Sequence, residues 1–127
     1  MSGFKEPLHM TTGSNPVKDR LFERLRRSID LLRTFEHEIP GQVISVFFYV
    51  CARNGCKTTP IPKDLGLASS SVSRCTDWLS DYHRLGKPGM GLIVKKKDAM
   101  DQRVRRLYLT PKGELVKQQI AELLNDV

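Results

Sequence analysis

Between Lys57 and His83 the chain reads KTTPIPKDLGLASSSVSRCTDWLSDYH, and this stretch limits the open folds more than any other. Pro62 suits the first turn of a short helix over Pro62–Leu65, because its fixed φ and missing N–H cost nothing at a helix start. Gly66 suits the end of that helix, where the chain turns through the left-handed region. Ser69 or Ser70 is placed to cap a second helix running to Asp81. Two helices joined by a short glycine turn make a helix-turn-helix. In the second helix Val72, Cys75, Leu79 and Tyr82 share one face and anchor it to a core, while Ser70, Ser73, Arg74, Asp77 and Asp81 share the other. A face of small hydroxyls with one arginine can approach a DNA groove closely and donate to phosphates and base edges. The same serines also suit a surface helix that is only capped and solvated.

After the connector HRLGKPGMG comes LIVKKKDAMDQRVRRLYLT. Leu92, Ile93 and Val94 on one side, and Val104, Leu107 and Leu109 on the other, flank a polar centre at Asp98–Asp101, which predicts a β-hairpin over 92–109. Lys95, Lys96, Lys97, Arg103, Arg105 and Arg106 make it basic against only Asp98 and Asp101. A basic hairpin behind a helix-turn-helix is the wing of a winged helix. Trp78, on the preceding helix, suits either packing between helix and wing or stacking on a base.

Amphipathic helices flank this centre. Asn15 followed by Pro16 is a helix start, and Val17, Leu21, Leu25, Ile29, Leu32 and Phe35 recur at helical spacing over Pro16–Glu36. Arg20, Arg24, Arg26, Arg27 and Arg33 lie off that stripe, as on a solvated face. IPGQVISVFFYVCARNG has the β-branched and aromatic content of a strand but the length and flanking Pro40 and Asn54-Gly55 of a buried helix, and helix is the reading taken. Thr110-Pro111 opens a last helix, 111–127, with Leu115, Val116, Ile120, Leu123 and Val127 as its stripe. The fold class is therefore mainly α with a small β wing: residues 1–15 as a flexible tail and 16–127 as one domain. The two terminal stripes exceed what so small a core covers, which predicts a homodimer joined through both helices.

Charge agrees with a polyanion partner. The net charge is +7, and residues 63–112 carry eleven basic against five acidic side chains, so the excess gathers around the helix-turn-helix and hairpin. The longest apolar run, Val43–Cys51, is nine residues with Ser45 inside it, against roughly 20 needed to span a bilayer. No basic-then-apolar leader stands at the N-terminus, and three cysteines do not make a disulfide framework, so a cytoplasmic protein without a membrane partner is expected. Cys51, Cys56, Cys75, His37 and His83 lack metal-ligand spacing, and Cys75 falls on an apolar face, so no metal or other cofactor is expected. Ser69–Ser71 have no His/Asp partner nearby, and the glycines at 86, 89 and 91 are not followed by Lys-Ser/Thr. No enzymatic reading has a motif to stand on.

KDLGLASSSVSRCTDWL, GLIV and DQRVRRLYLTPKG, in that order, resemble the helix-turn-helix, wing start and Asp-x-Arg…Leu-Thr-x-x-Gly signature of the MarR family of bacterial regulators. The likeness covers residues 40–115. It implies a dimeric, sequence-specific regulator of transcription on double-stranded DNA. Ser69, Ser70, Ser71, Ser73 and Arg74 would meet the major groove, while Lys95, Lys96, Lys97 and Arg105, taken from the hairpin's own charge, are expected to bind DNA from the wing, the lysines mainly supplying affinity. Arg103 would reach the minor groove, oriented by Asp101. Many members release DNA on binding a small aromatic acid, although nothing in this sequence points to an effector. The chain departs from the family in its long Ser80–Met90 connector and in a last helix a turn or more short. A winged-helix accessory factor of replication or recombination would use the same surface without needing a dimer, and a winged helix serving purely protein–protein contact is a third reading.

Overall fold

The computed structural model describes residues 15–81, 86 and 88–125. The tail expected before Asn15, together with Tyr82, His83 and Val127, lies outside the described residues. Five helices and three short strands follow in the order α1 (Pro16–Arg33), α2 (Gly41–Ala52), β1 (Cys56–Lys57), α3 (Ile61–Leu65), α4 (Ser69–Leu79), β2 (Ile93–Lys97), β3 (Arg105–Leu109) and α5 (Pro111–Asn125).

The Asn15 carboxamide caps α1, accepting from the N–H groups of Val17 (3.0 Å) and Lys18 (3.3 Å). The helix ends at Arg33, before the expected Glu36: the Thr34 hydroxyl donates to Leu31 O at 2.6 Å, and Arg33 Nε reaches the carbonyl of His37 at 3.0 Å. The ambiguous segment is a helix, α2, and it carries the centre of the core. Val43, Val46, Phe47 and Val50 are completely or almost completely buried, with Leu32, Ile61, Leu79, Leu92, Ile93 and Leu107 around them. At roughly 25 cal/mol per Å² of apolar surface removed from water, these aliphatic and aromatic contacts are the main favourable term in holding the chain together.

Gly66, at φ 66°, ends α3 in the left-handed conformation. The following extended turn makes Ala68 the N-cap of α4, so Ser69 and Ser70 are already inside the helix and neither caps it. No side chain replaces them, and the first N–H groups of α4 remain donors. The helix stops at Leu79, two residues short of the expected Asp81, because the returning chain takes its terminal carbonyls. Met90 N–H donates to Trp78 O (2.9 Å), Leu92 N–H to Leu79 O (2.8 Å), and Gly91 N–H to Ser80 O (3.0 Å). A further bond from Gly89 N–H to Asp81 O (2.8 Å) closes the base of the connector. Only glycine fits there, since a Cβ at position 89 would lie 1.7 Å from Ser80 O. The long connector therefore leaves the wing tied directly to the end of α4.

The sheet order is β1-β3-β2, all antiparallel. β1, which no sequence motif marks, pairs Cys56 with Leu107 and Lys57 with Arg106. Thr110 caps α5 as its Thr-Pro start suggested: its hydroxyl accepts from Gly113 N–H at 3.0 Å and donates to Gly91 O at 2.7 Å. α5 lies along α1, where Arg24 Nη1 donates to Leu123 O at 3.0 Å. Ile120, expected on an outward stripe, is only 8% exposed and belongs to the chain's own core.

Candidate nucleic-acid interface

In α4, Val72, Cys75 and Leu79 are buried as their spacing requires, and Trp78 packs against the core. Ser70 and Arg74 are exposed, and Arg74 Nη2 approaches Ser71 Oγ at 3.4 Å. Ser69 and Ser73 sit one turn apart on the side of α4 that faces the sheet. With Thr58, Thr59, Lys95 and Arg105 they line a cleft of about 280 Å³. Four of the expected site residues, drawn from helix and wing, thus meet around one space. Thr58 and Thr59 join them although no motif marked them.

The strand register divides the wing's cations. Directly opposed residues share a face. Ile93 with Leu109, Lys95 with Leu107, and Lys97 with Arg105 therefore form the face that runs from the core to the cleft. Lys96 opposes Arg106 on the other face, where its ammonium lies 5.6 Å from the centre of the Tyr108 ring. The three lysines are two on the helix side and one behind.

Arg106 is a frame member. Its Nε donates to Asp98 and its Nη1 to Gly55 O at 2.8 Å, joining the wing to the turn before β1. Asp98 also accepts from the N–H groups of Met100 (2.9 Å) and Asp101 (3.0 Å). The Arg106 guanidinium first, and these two amides after it, hold the Asp98 carboxyl at a pKa of about 2. An Asp opening a turn is a common acceptor for following amides, a signal that could have singled out Asp98, which the sequence reading places only in the polar centre of the hairpin.

Beyond this frame, Asp101 Oδ1 accepts from both the N–H (3.0 Å) and Nε (3.1 Å) of Arg103, and Oδ2 from Nη2 (3.2 Å). The Arg103 side chain is 90% exposed, so the carboxylate grips a guanidinium that projects into solvent. The bond to that guanidinium, and next the one to its backbone N–H, lower the Asp101 pKa. Arg105 bends back through Nη1 to Gln102 O at 2.7 Å.

The three thiols are weakly acidic. Burial pushes Cys51 up to about 11 and raises Cys56 and Cys75 as well, which suits packing more than redox chemistry. Among the described residues no three His, Cys, Asp or Glu side chains gather as metal ligands, and no helix is long and apolar enough to cross a membrane.

A helix-turn-helix backed by a three-stranded sheet and flanked by long terminal helices defines the chain as a winged helix-turn-helix protein. Its architecture is that of MarR-family regulators. A Staphylococcus aureus MepR–DNA complex superposes with a TM-score of 0.64 at 19% identity, over 88% of this chain and 85% of that one. A MarR-like transcriptional regulator from Thermotoga maritima gives 0.57 at 23% identity, over 83% and 78%. Reduced AbfR bound to DNA gives 0.55 at 15% identity, over 87% and 76%. No protein-family model matches the sequence, and no curated protein matches it significantly.

Proposed function

We propose that this protein is a regulator of transcription that binds double-stranded DNA sequence-specifically as a homodimer, with α4 in the major groove and the wing tip in the minor groove. The observation that carries the reading is the shared cleft, where Ser69 and Ser73 of α4 face Lys95 and Arg105 of the wing. Hydroxyl donors for phosphate or base edges and two cations thereby lie on one surface, next to the uncapped start of a helix. Two of the similar solved structures are DNA complexes, which favours DNA as the partner. The chemistry is binding alone.

Arg74 is the only long donor on the exposed face of α4, and a bidentate Arg–guanine pair discriminates by about 1–3 kcal/mol. Arg74→Ala should therefore flatten sequence preference more than it lowers general affinity. Selection from random duplexes, with titrations at several salt concentrations, tests both statements. Wild-type affinity should fall by about 0.9 in log–log slope per phosphate contact. Affinity independent of salt would favour a protein–protein role instead, and an unchanged consensus for Arg74→Ala would remove Arg74 as a reader.

The dimer reading rests on α1 and α5. Val17, Phe22 and Leu25 of α1 and Leu115 of α5 are 52%, 67%, 38% and 55% exposed, a concentration of large apolar side chains on the terminal helices. Since Ile120 is core, the clean test uses Phe22→Glu with Leu25→Glu. Light scattering should show a dimer become a monomer of unchanged helicity with weaker DNA binding. A wild-type chain that is monomeric at micromolar concentration, with and without DNA, would end this part of the proposal. Paired half-sites in the selected DNA should be spaced by about 34 Å or multiples of it.

A further inference from the structure

We infer that Met100 is a minor-groove wedge, an apolar side chain that the wing tip presses against or between base pairs. It makes the protein sensitive to the deformability of a step that Arg103 does not read. The inference rests on the DNA-binding reading above. Met100 is 93% exposed, the most exposed of the large hydrophobic side chains described. Its backbone is nevertheless tightly placed. Met100 N–H donates to Asp98 Oδ2 at 2.9 Å, Asp98 N–H to Val104 O at 2.9 Å, and Val104 N–H to Asp101 O at 3.0 Å. Asp98 is held in turn by Arg106, which is anchored on Gly55 O. A hairpin tip fixed this thoroughly sets the direction in which the Cα–Cβ bond of Met100 leaves the backbone, and the side chain it carries is a thioether with no hydrogen to donate.

Three residues along, the side chain of Arg103 is 90% exposed from the same tip. The two are chemically complementary to a single target. A minor groove about 6 Å wide admits an arginine, and an unbranched methionine is slim enough to enter beside it. Phosphates offer nothing to a thioether, whereas sugar faces and partly unstacked bases do. Apolar wedges of this kind bend the duplex, most cheaply at TA and CA/TG steps, which unstack readily. Met100 has almost no contact within the chain, so it is free to make such contacts on binding.

The test uses the full chain and the duplex selected by the wild type, labelled at both ends so that energy transfer reports bending. Wild type should bend this duplex and enrich flexible steps beside the recognition sequence. Met100→Ala and Met100→Gln should reduce the bend, lose the step preference and weaken binding roughly tenfold. Met100→Leu should keep all three. Melting temperature and the salt slope should not move in any variant, since neither packing nor a phosphate contact is lost. Equal bending and equal preference in wild type, Met100→Ala and Met100→Gln would overturn the inference, as would a wild-type complex that leaves the DNA straight. In both cases tight, salt-dependent binding would leave the DNA-binding reading standing. A wild-type chain that binds no duplex at all would overturn both.

Discussion

Gly113→Ala is expected to cost about 3 kcal/mol of folding stability or more, a large share of the about 5–15 kcal/mol typical of a domain. The sign is the informative part. Gly113 lies in the first turn of α5, and helix propensity alone favours alanine there by about 1 kcal/mol. Sterics oppose it. A Cβ at 113 would stand 2.0 Å from the carbonyl oxygen and 3.0 Å from the carbonyl carbon of Leu92, with Leu109 Cδ2 at 3.3 Å. The first two atoms are backbone and cannot rotate away. Leu92 itself is completely buried, and its carbonyl already accepts from Thr110 N–H at 3.1 Å. Relief requires lifting the start of α5 off the sheet, which breaks that bond and uncovers Leu109. Chemical denaturation of Gly113→Ala beside Gly41→Ala makes the comparison. Gly41 meets nothing within 4 Å and has an ordinary φ, so alanine there should be neutral or mildly stabilising. Equal stability of Gly113→Ala and wild type would refute the close packing of α5 on the wing.

That contact also explains why the Leu-Thr-x-x-Gly run is legible in the sequence. Leu109 packs inward, Thr110 caps, and Gly113 permits the approach, so each residue type has a local reason to be where it is. The helix-turn-helix is legible on the same terms, through Gly66 at the turn and Val72, Cys75 and Leu79 on one face. The features that sequence does not reveal depend on distant partners. β1 is two residues long and exists because Cys56 and Lys57 pair with β3, some fifty positions away. Arg106 looks like one more wing cation, because its acceptors are eight and fifty-one residues off. The split of Lys95 and Lys97 from Lys96 follows from which β3 side chains face the core, and a run of three lysines carries no such phase. Leu115 and Ile120 both read into one apolar stripe, yet five positions turn them about 140° apart on the helix, so Ile120 is buried with Val116 while Leu115 is exposed. Capping by Ser69 or Ser70 places the start of α4 one or two residues too late, because the extended Ala68 already takes the N-cap position with no side chain to mark it.

The second large effect is expected at Arg103 and Asp101. Under the proposed function, Arg103→Ala should weaken binding roughly tenfold or more, most of all on sites with A·T-rich flanks, whose narrow minor groove deepens the negative potential. Asp101→Ala should weaken binding as well, although it removes a negative charge from a basic surface. The carboxylate takes two of the five N–H donors of the guanidinium, through Nε and Nη2, and leaves the rest for acceptors on the groove floor. It also holds the Arg103 backbone N–H at 3.0 Å, which sets the direction in which the side chain leaves the tip. Without it an exposed arginine samples many rotamers, and binding must order them. Simple electrostatics predicts the opposite sign, since an anion among phosphates repels, and that gain should be greatest at low salt. Titrations at low and high salt therefore separate the two. An orienting Asp101 gives weaker binding for Asp101→Ala at both, with the clearer loss at high salt, where long-range repulsion is screened. Asp101→Asn, which keeps an acceptor oxygen for the backbone N–H, should fall between wild type and Asp101→Ala. An affinity gain for Asp101→Ala that shrinks as salt is added would assign the residue a purely electrostatic part and leave Arg103 to find the groove unaided.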